Sequence, residues 1–156
     1  MPDSSATAAN AVTSSAALAA KSYRRPMPVI DVWNKPFWEA TREGVFMAQR
    51  DEGGHVWFPP SPVSPFNNSD RWEWVAVSGS GTVVSWVIFH QKYFAGLADA
   101  LPYNVAVVRL DEGPLIYTNL VDLHGTPIAS GLRVSLQFSN MDGRFQLPVF
   151  APELAL

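Results

Sequence analysis

The chain contains no cysteine, which excludes disulfides and any thiolate metal site. It also lacks a basic excess: 11 Lys and Arg stand against 14 Asp and Glu, a net charge of -3. Nucleic-acid partners draw on a clear surplus of cations, so the balance gives no case for one. No apolar run approaches the ~20 residues of a membrane-spanning helix. The chain opens on Asp3 instead of a basic cluster, and its first Ala/Ser stretch is too polar for a signal peptide. The expectation is a cytoplasmic protein that binds neither membrane nor nucleic acid.

What is present suits a packed core. The 156 residues make one ordinary domain with a small appendage, 47% hydrophobic and 16% charged. Six Trp, nine Phe and four Tyr are generous for this length, and each buried ring removes much apolar area from water.

Residues 1–25 are an Ala/Ser-rich segment that reads as a disordered tail, with a short helix over Ser15 to Lys21 as the alternative. Lys21, Arg24 and Arg25 close it as a small basic cluster. A helical segment follows over 26–46: Asn34 is placed to cap it, Pro36 suits the first turn, and Gly44 ends it. Phe37, Trp38 and Thr41 share one face of that helix, with Trp33 just before the cap. From Trp72 the pattern turns β. Thr82 to Phe89, Tyr103 to Leu110, Leu115 to Val121, Leu132 to Phe138 and Phe145 to Phe150 read as strands. Tyr93 to Ala100 reads as a short helical link, and Asp142-Gly143 as a hairpin turn. A long first strand followed by short hairpins predicts a mainly β fold with a five-stranded OB-type barrel over 72–156.

Between helix and barrel, residues 47–71 have the skeleton of a rubredoxin-like zinc ribbon. Paired C-x-x-C knuckles there would be strong evidence for structural zinc. The four ligand positions hold Arg50, Gly53, Ser64 and Asn67, none of them a soft ligand. The ribbon is therefore predicted to be metal-free, with Trp57, Phe58, Phe66, Trp72 and Trp74 as replacement packing. Structural zinc contributes ~10–16 kcal/mol in isolated finger peptides. A buried large aromatic is worth roughly 1.5–3 kcal/mol, so the rings offset the loss in part. Obligate association with a partner is the preferred source of the remainder.

The words Pro36-Phe37-Trp38-Glu39-Ala40, Gly54-His55-Val56, Phe58-Pro59-Pro60, Ser78-Gly79-Ser80-Gly81, Leu110-Asp111-Glu112-Gly113 and Leu147-Pro148-Val149-Phe150 occur in order along the chain. On these words the chain resembles the acyl-CoA-associated OB-fold family with an N-terminal rubredoxin-like zinc ribbon. The resemblance implies a non-catalytic accessory subunit of a thiolase-fold enzyme that acts on acyl-CoA thioesters. It implies retro-aldol cleavage of a β-hydroxyacyl-CoA such as a steroid side chain, with acyl transfer or condensation as the alternative. By family analogy the assembly is a two-plus-two heterotetramer. No cofactor is bound directly, and the CoA thioester is the substrate of the complex. The aromatics Trp33, Phe37, Trp38, Trp57, Phe58 and Phe66 are the candidate partner interface.

No residue pattern supports autonomous catalysis, so no catalytic residue is assigned. His55, His90 and His124 are too far apart in sequence for a local ligand pair. Ser78-Gly79-Ser80-Gly81 is neither a nucleophile elbow nor a phosphate cradle, and it reads as a flexible bend into a strand. Asp111-Glu112 reads as a solvated turn. His90, Lys92, Tyr93 and Phe94 follow a strand end, where small barrels place binding loops, and form a candidate acyl-CoA-facing loop. OB barrels also bind single-stranded nucleic acid on aromatic platforms, but the basic residues here form no run.

Overall fold

The computed structural model describes residues 25–141 and 143–153. Tail residues 1–24, with Lys21 and Arg24, and Asp142 thus lie outside the described residues. The elements in chain order are helix α1 (Lys35–Arg42), strands β1 (Met47–Asp51), β2 (Val56–Trp57), β3 (Trp72–Ala76) and β4 (Ser80–Phe89), then a 3-10 helix (Ala95–Ala100). Strands β5 (Tyr103–Leu110), β6 (Leu115–Thr118), β7 (Arg133–Asn140) and β8 (Gln146–Pro152) complete the chain. The fold is mainly β, as the sequence predicts.

The helix begins where the sequence places it, by a different device. Asn34 Oδ1 accepts the amide of Asp31, and Asn34 Nδ2 donates to the Val29 carbonyl, so its side chain makes no cap bond to the helix. The turn is held by Asp31, whose Oδ1 accepts the amides of Trp33 and Asn34. Gly44, at φ +74°, takes the left-handed conformation that ends a helix without a Cβ penalty.

Strands β1, β2 and β3 form a small antiparallel sheet in the order β2-β1-β3. The strand that opens the β-rich region at Trp72 therefore pairs with β1 of the ribbon, with Gln49 opposite Trp74. The larger sheet has the order β6-β5-β4-β7-β8 and curls into an OB-like half-barrel. Its two ends approach through a parallel bridge between Leu120 and Phe150. There the Val121 amide donates to the Phe150 carbonyl at 2.8 Å, and the Phe150 amide to the Asn119 carbonyl at 3.1 Å. The bend into β4 needs a glycine: Gly79 has φ +79°, and a Cβ there would lie 2.8 Å from Leu136 Cβ.

One core joins all parts. Val83, Val108, Leu110, Ile116, Val134 and Phe150 fill the half-barrel, and Phe37 and Phe46 belong to the same buried cluster. Phe37, Phe46 and Phe58 meet with centroids 5.0–5.1 Å apart, tying helix and ribbon to the barrel. Phe150 is fully buried at the closure. Phe150→Ala should cost about 3–5 kcal/mol, the range for truncating a buried ring. Urea unfolding checks this, and a loss under 1 kcal/mol would mean that the closure is not part of the cooperative core.

Candidate functional site

The ribbon's centre is occupied by a carboxylate. Strand β1 ends at Asp51, whose side chain has no exposed surface. Asp51 Oδ1 accepts the amides of Gly53 at 2.9 Å and His55 at 3.0 Å, and His55 Nδ1 lies 3.1 Å away. Asp51 Oδ2 accepts from Ser64 Oγ at 2.8 Å and Asn67 Nδ2 at 3.2 Å. Three of the four ligand positions expected from the spacing, Gly53, Ser64 and Asn67, thus converge on one oxyanion. The fourth differs. Arg50 points to the outer face, where its Nε donates to Glu73 Oε1 at 3.2 Å, and the inward position falls one residue later.

This arrangement does not fit zinc. The space is filled by the Asp51 carboxylate, already saturated with donors from both knuckles. A Cβ at Gly53 would lie 3.0 Å from His55 ring atoms and 3.2 Å from Asp51 Oδ1, so a ligand side chain there has no room. Among the described residues no group of three or more His, Asp or Glu side chains is placed to hold a metal ion, and His55, His90 and His124 do not converge. Burial alone would raise the Asp51 carboxyl, but the hydrogen bonds from Ser64 and His55 outweigh it and hold it below the usual carboxylate range.

Aromatics brace the same region. Trp57 and Trp72 meet edge to face at 6.5 Å, and Trp72 and Trp74 at 6.0 Å. Trp57 Nε1 donates to Ser61 Oγ, and Trp72 Nε1 to the Pro62 carbonyl.

The residues singled out for a partner divide by exposure. Phe37, at 2% exposed, has no surface to offer a partner, and Trp57, at 5%, shows only an edge in the wall of a cavity. Trp38 and Phe58 are half-buried against the core. Trp33 and Phe66 are exposed, Phe66 at 57% with its ring stacked 4.7 Å from that of His55. The loop residues His90, Lys92, Tyr93 and Phe94 are all exposed. A cavity of about 500 Å³ is lined by Leu97, Tyr103, Val105, Leu147 and Val149, among others, but by none of those four.

The structure adds an apolar surface that the sequence reading did not single out. Directly paired residues of an antiparallel sheet share a face. Tyr117 pairs with Val107 and Val105 with Val87, so these four and Leu115 lie on the outer face of β4-β5-β6. Tyr117 is 82% exposed. Strand β7 pairs only with Ser80 to Thr82 of β4. Beyond the irregularity between Val83 and Ser85, the strand projects with Trp86, Val87 and Ile88 all exposed. Outer faces of small barrels are ordinarily polar, and apolar patches of this kind mark interaction sites.

The other perturbed groups are structural. Asp111 is held below the usual range by the Arg133 guanidinium, which donates to both its oxygens at 2.7 and 2.9 Å. The Arg133 pKa is raised in turn. No helix of the described residues is long and apolar enough to cross a membrane.

Two outcomes are expected for the ribbon. Ser64→Ala should lower the melting temperature by about 2–8 °C through the lost bond to Asp51, and added zinc should leave the wild-type midpoint unchanged. The Asp51 carboxyl has a folded pKa below its unfolded value of about 3.9. Its contribution is therefore complete above that pH and is lost as pH falls through the lowered folded value. Tryptophan emission across an acid titration reads this. An Asp51→Asn variant with the same acid profile as wild type would remove Asp51 as the cross-link.

Comparison with known proteins agrees with this architecture. Residues 74–139 match the family model described as ChsH2, C-terminal OB-fold domain. The chain is 32% identical over 112 residues to a DUF35 domain-containing scaffold protein from Pyrococcus furiosus, covering 72% of this chain and 79% of that one. It is 34% identical over 129 residues to a probable enoyl-CoA hydratase alpha subunit from Thermomonospora curvata, covering 82% of this chain but 40% of the relative. Among solved structures, a chain of the Ltp2-ChsH2(DUF35) aldolase superposes with a TM-score of 0.72 at 33% identity, covering 81% of this chain and 98% of that one. A DUF35-family protein of unknown function from Sulfolobus solfataricus shares the fold, at 12% identity and a TM-score of 0.54. The ribbon and half-barrel, together with these relatives, place the chain in the DUF35/ChsH2 C-terminal OB-fold family.

Proposed function

We propose that this protein is a non-catalytic accessory subunit that binds and stabilises a thiolase-fold partner acting on acyl-CoA thioesters. The reaction of the assembly is retro-aldol cleavage of a β-hydroxyacyl-CoA of the steroid side-chain type. In that chemistry the bond between the α and β carbons breaks, giving a ketone or aldehyde and a shorter acyl-CoA. The groups that move protons belong to the partner.

The observation that carries this reading is the match to the DUF35 chain of the Ltp2-ChsH2 aldolase over 98% of that chain's length. A further relative, from Mycobacterium tuberculosis, is the 3-oxo-4,17-pregnadiene-20-carboxyl-CoA hydratase alpha subunit, 30% identical over 98 residues, 63% of this chain and 31% of that one. It supports a CoA thioester with a steroid-like acyl group as the substrate class.

The chain's own surface supports a protein partner. Trp33, Phe66, Tyr117, Trp86, Val87 and Ile88 are exposed large side chains on a domain whose core is already complete. Desolvating such groups is what gives an interface its energy. The partner surface runs over the ribbon tip and the outer face of β4-β5-β6, with Trp38 and Phe58 as half-buried support. The loop His90 to Phe94 faces the acyl-CoA, and the assembly is a two-plus-two heterotetramer.

Co-expression with a thiolase-fold protein should give one stable assembly by light scattering, with cleavage activity absent when this chain is omitted. Tyr117→Ala and Phe66→Ala should each weaken association by about ten-fold or more, as interface anchors do, while leaving the melting temperature of the isolated chain in place. A wild-type chain that stays monomeric beside the thiolase-fold protein would sink the proposal.

A further inference from the structure

A cavity of about 580 Å³ lies between the ribbon tip and the turn that joins β5 to β6. Trp57, Phe58 and Phe66 wall it on one side, Pro114 and Leu115 on the other. Two polar groups line it and neither is spent. Glu112 Oε1 accepts the Ser78 amide at 2.6 Å, but Glu112 Oε2 is buried without a hydrogen-bond partner. No Lys, Arg or His forms an ion pair with Glu112 among the described residues. A carboxylate oxygen in that state carries a desolvation cost that a donor would relieve.

His55 is the second group. Four other donors converge on Asp51, so its carboxylate acts as acceptor and His55 Nδ1 carries the proton towards it. In the neutral ring this leaves Nε2 with an open lone pair, oriented as a buried carboxylate orients a metal-binding or catalytic histidine. The Phe66 ring lies 18° from parallel with the imidazole and makes a flat apolar wall beside it.

We propose that this cleft receives an arginine side chain from a protein partner. The lining holds a carboxylate, a histidine ring and aromatic faces, and no Lys or Arg. A guanidinium is planar and weakly hydrated, stacks on aromatic rings and donates in its plane to carboxylates. A compact, strongly hydrated ammonium meets only the charge. Bringing buried Glu112 Oε2 into reach takes a rotation about the soft terminal torsion of the glutamate, which also turns Oε1 from the Ser78 amide. The cleft opens beside exposed Phe66 and Leu115, so its occupant is an anchor within a larger contact. This inference rests on the accessory-subunit reading and adds the chemistry of one contact to it.

The test has two arms. The full chain is titrated by NMR with N-acetyl-arginine amide, N-acetyl-lysine amide and N-acetyl-norleucine amide. Saturable shifts at His55, Phe66 and Leu115 are expected with the arginine amide, several-fold weaker with lysine and absent with norleucine. Glu112→Gln should abolish them. In the second arm, Glu112→Gln should weaken association with the thiolase-fold protein by about ten-fold and flatten its salt dependence, whereas Tyr117→Ala should leave the salt dependence intact. Equal shifts with arginine and norleucine amides would overturn the proposal, as would full affinity and unchanged salt dependence in the Glu112→Gln complex. Arginine-amide binding in a chain that ignores the thiolase-fold protein would instead sink the accessory-subunit reading and leave the cleft an arginine site for another protein.

Discussion

The ribbon depends on a buried anion. Asp51 hydrogen-bonds to both knuckles, through Gly53 and His55 on one side and Ser64 and Asn67 on the other. A structural zinc ion would join four side chains by coordinate bonds. Here the polarity is inverted: the charge at the centre is negative and the arms are donors. The inversion explains how the ribbon closes without cysteine at any of these positions and without a void, since two backbone amides and two short polar side chains suffice to satisfy a carboxylate. It also changes what the ribbon responds to. A thiolate site is sensitive to chelators and oxidants, while a carboxylate site is sensitive to acid.

That cross-link matters beyond the ribbon because the core is continuous. Phe58 follows the buried Trp57 of β2 and packs on Phe37 and Phe46, whose neighbours are the barrel residues around Phe150. Loosening the Asp51 centre would reach the barrel through rings already in contact, not through a flexible joint. The ribbon tip is thereby braced against the whole domain.

The sequence made the fold legible where the physics is local. The alternation in Leu132 to Phe138 placed a half-buried strand, the turn after Leu110 placed a hairpin, and the ordered family words placed the whole. It was less informative where the decision is tertiary. Phe37 and Trp57 look like Phe66 and Trp33 in sequence, yet the first two are core and the last two surface, because only the curl of the sheet decides which rings are covered. Leu115 and Tyr117 went unnoticed for a related reason. In an apolar strand both faces read alike, and the outward one is revealed by pairing with Val107 and Arg109. Asp51 was missed because ligand spacing directs attention to four fixed positions. The group that replaces a metal need not stand on any of them, since it must fill the centre instead of pointing at it.

The distribution of perturbed charges bears on the division of labour. Asp51 is held low by a structural network, and the Asp111–Arg133 pair by a two-pronged ion pair next to Glu153 at the base of β7. Catalytic sites shift acids and bases by setting them in a cleft against burial or a like charge. These groups are instead stabilised in their charged forms by matched partners, which makes poor proton donors and acceptors near neutral pH. Exposed large apolar side chains, by contrast, occur on the segment before the helix, on the ribbon, along the projecting end of β4 and the loop after it, and on the outer face of β6. A domain that holds these charges in matched pairs and leaves large apolar side chains exposed offers surface for recognition.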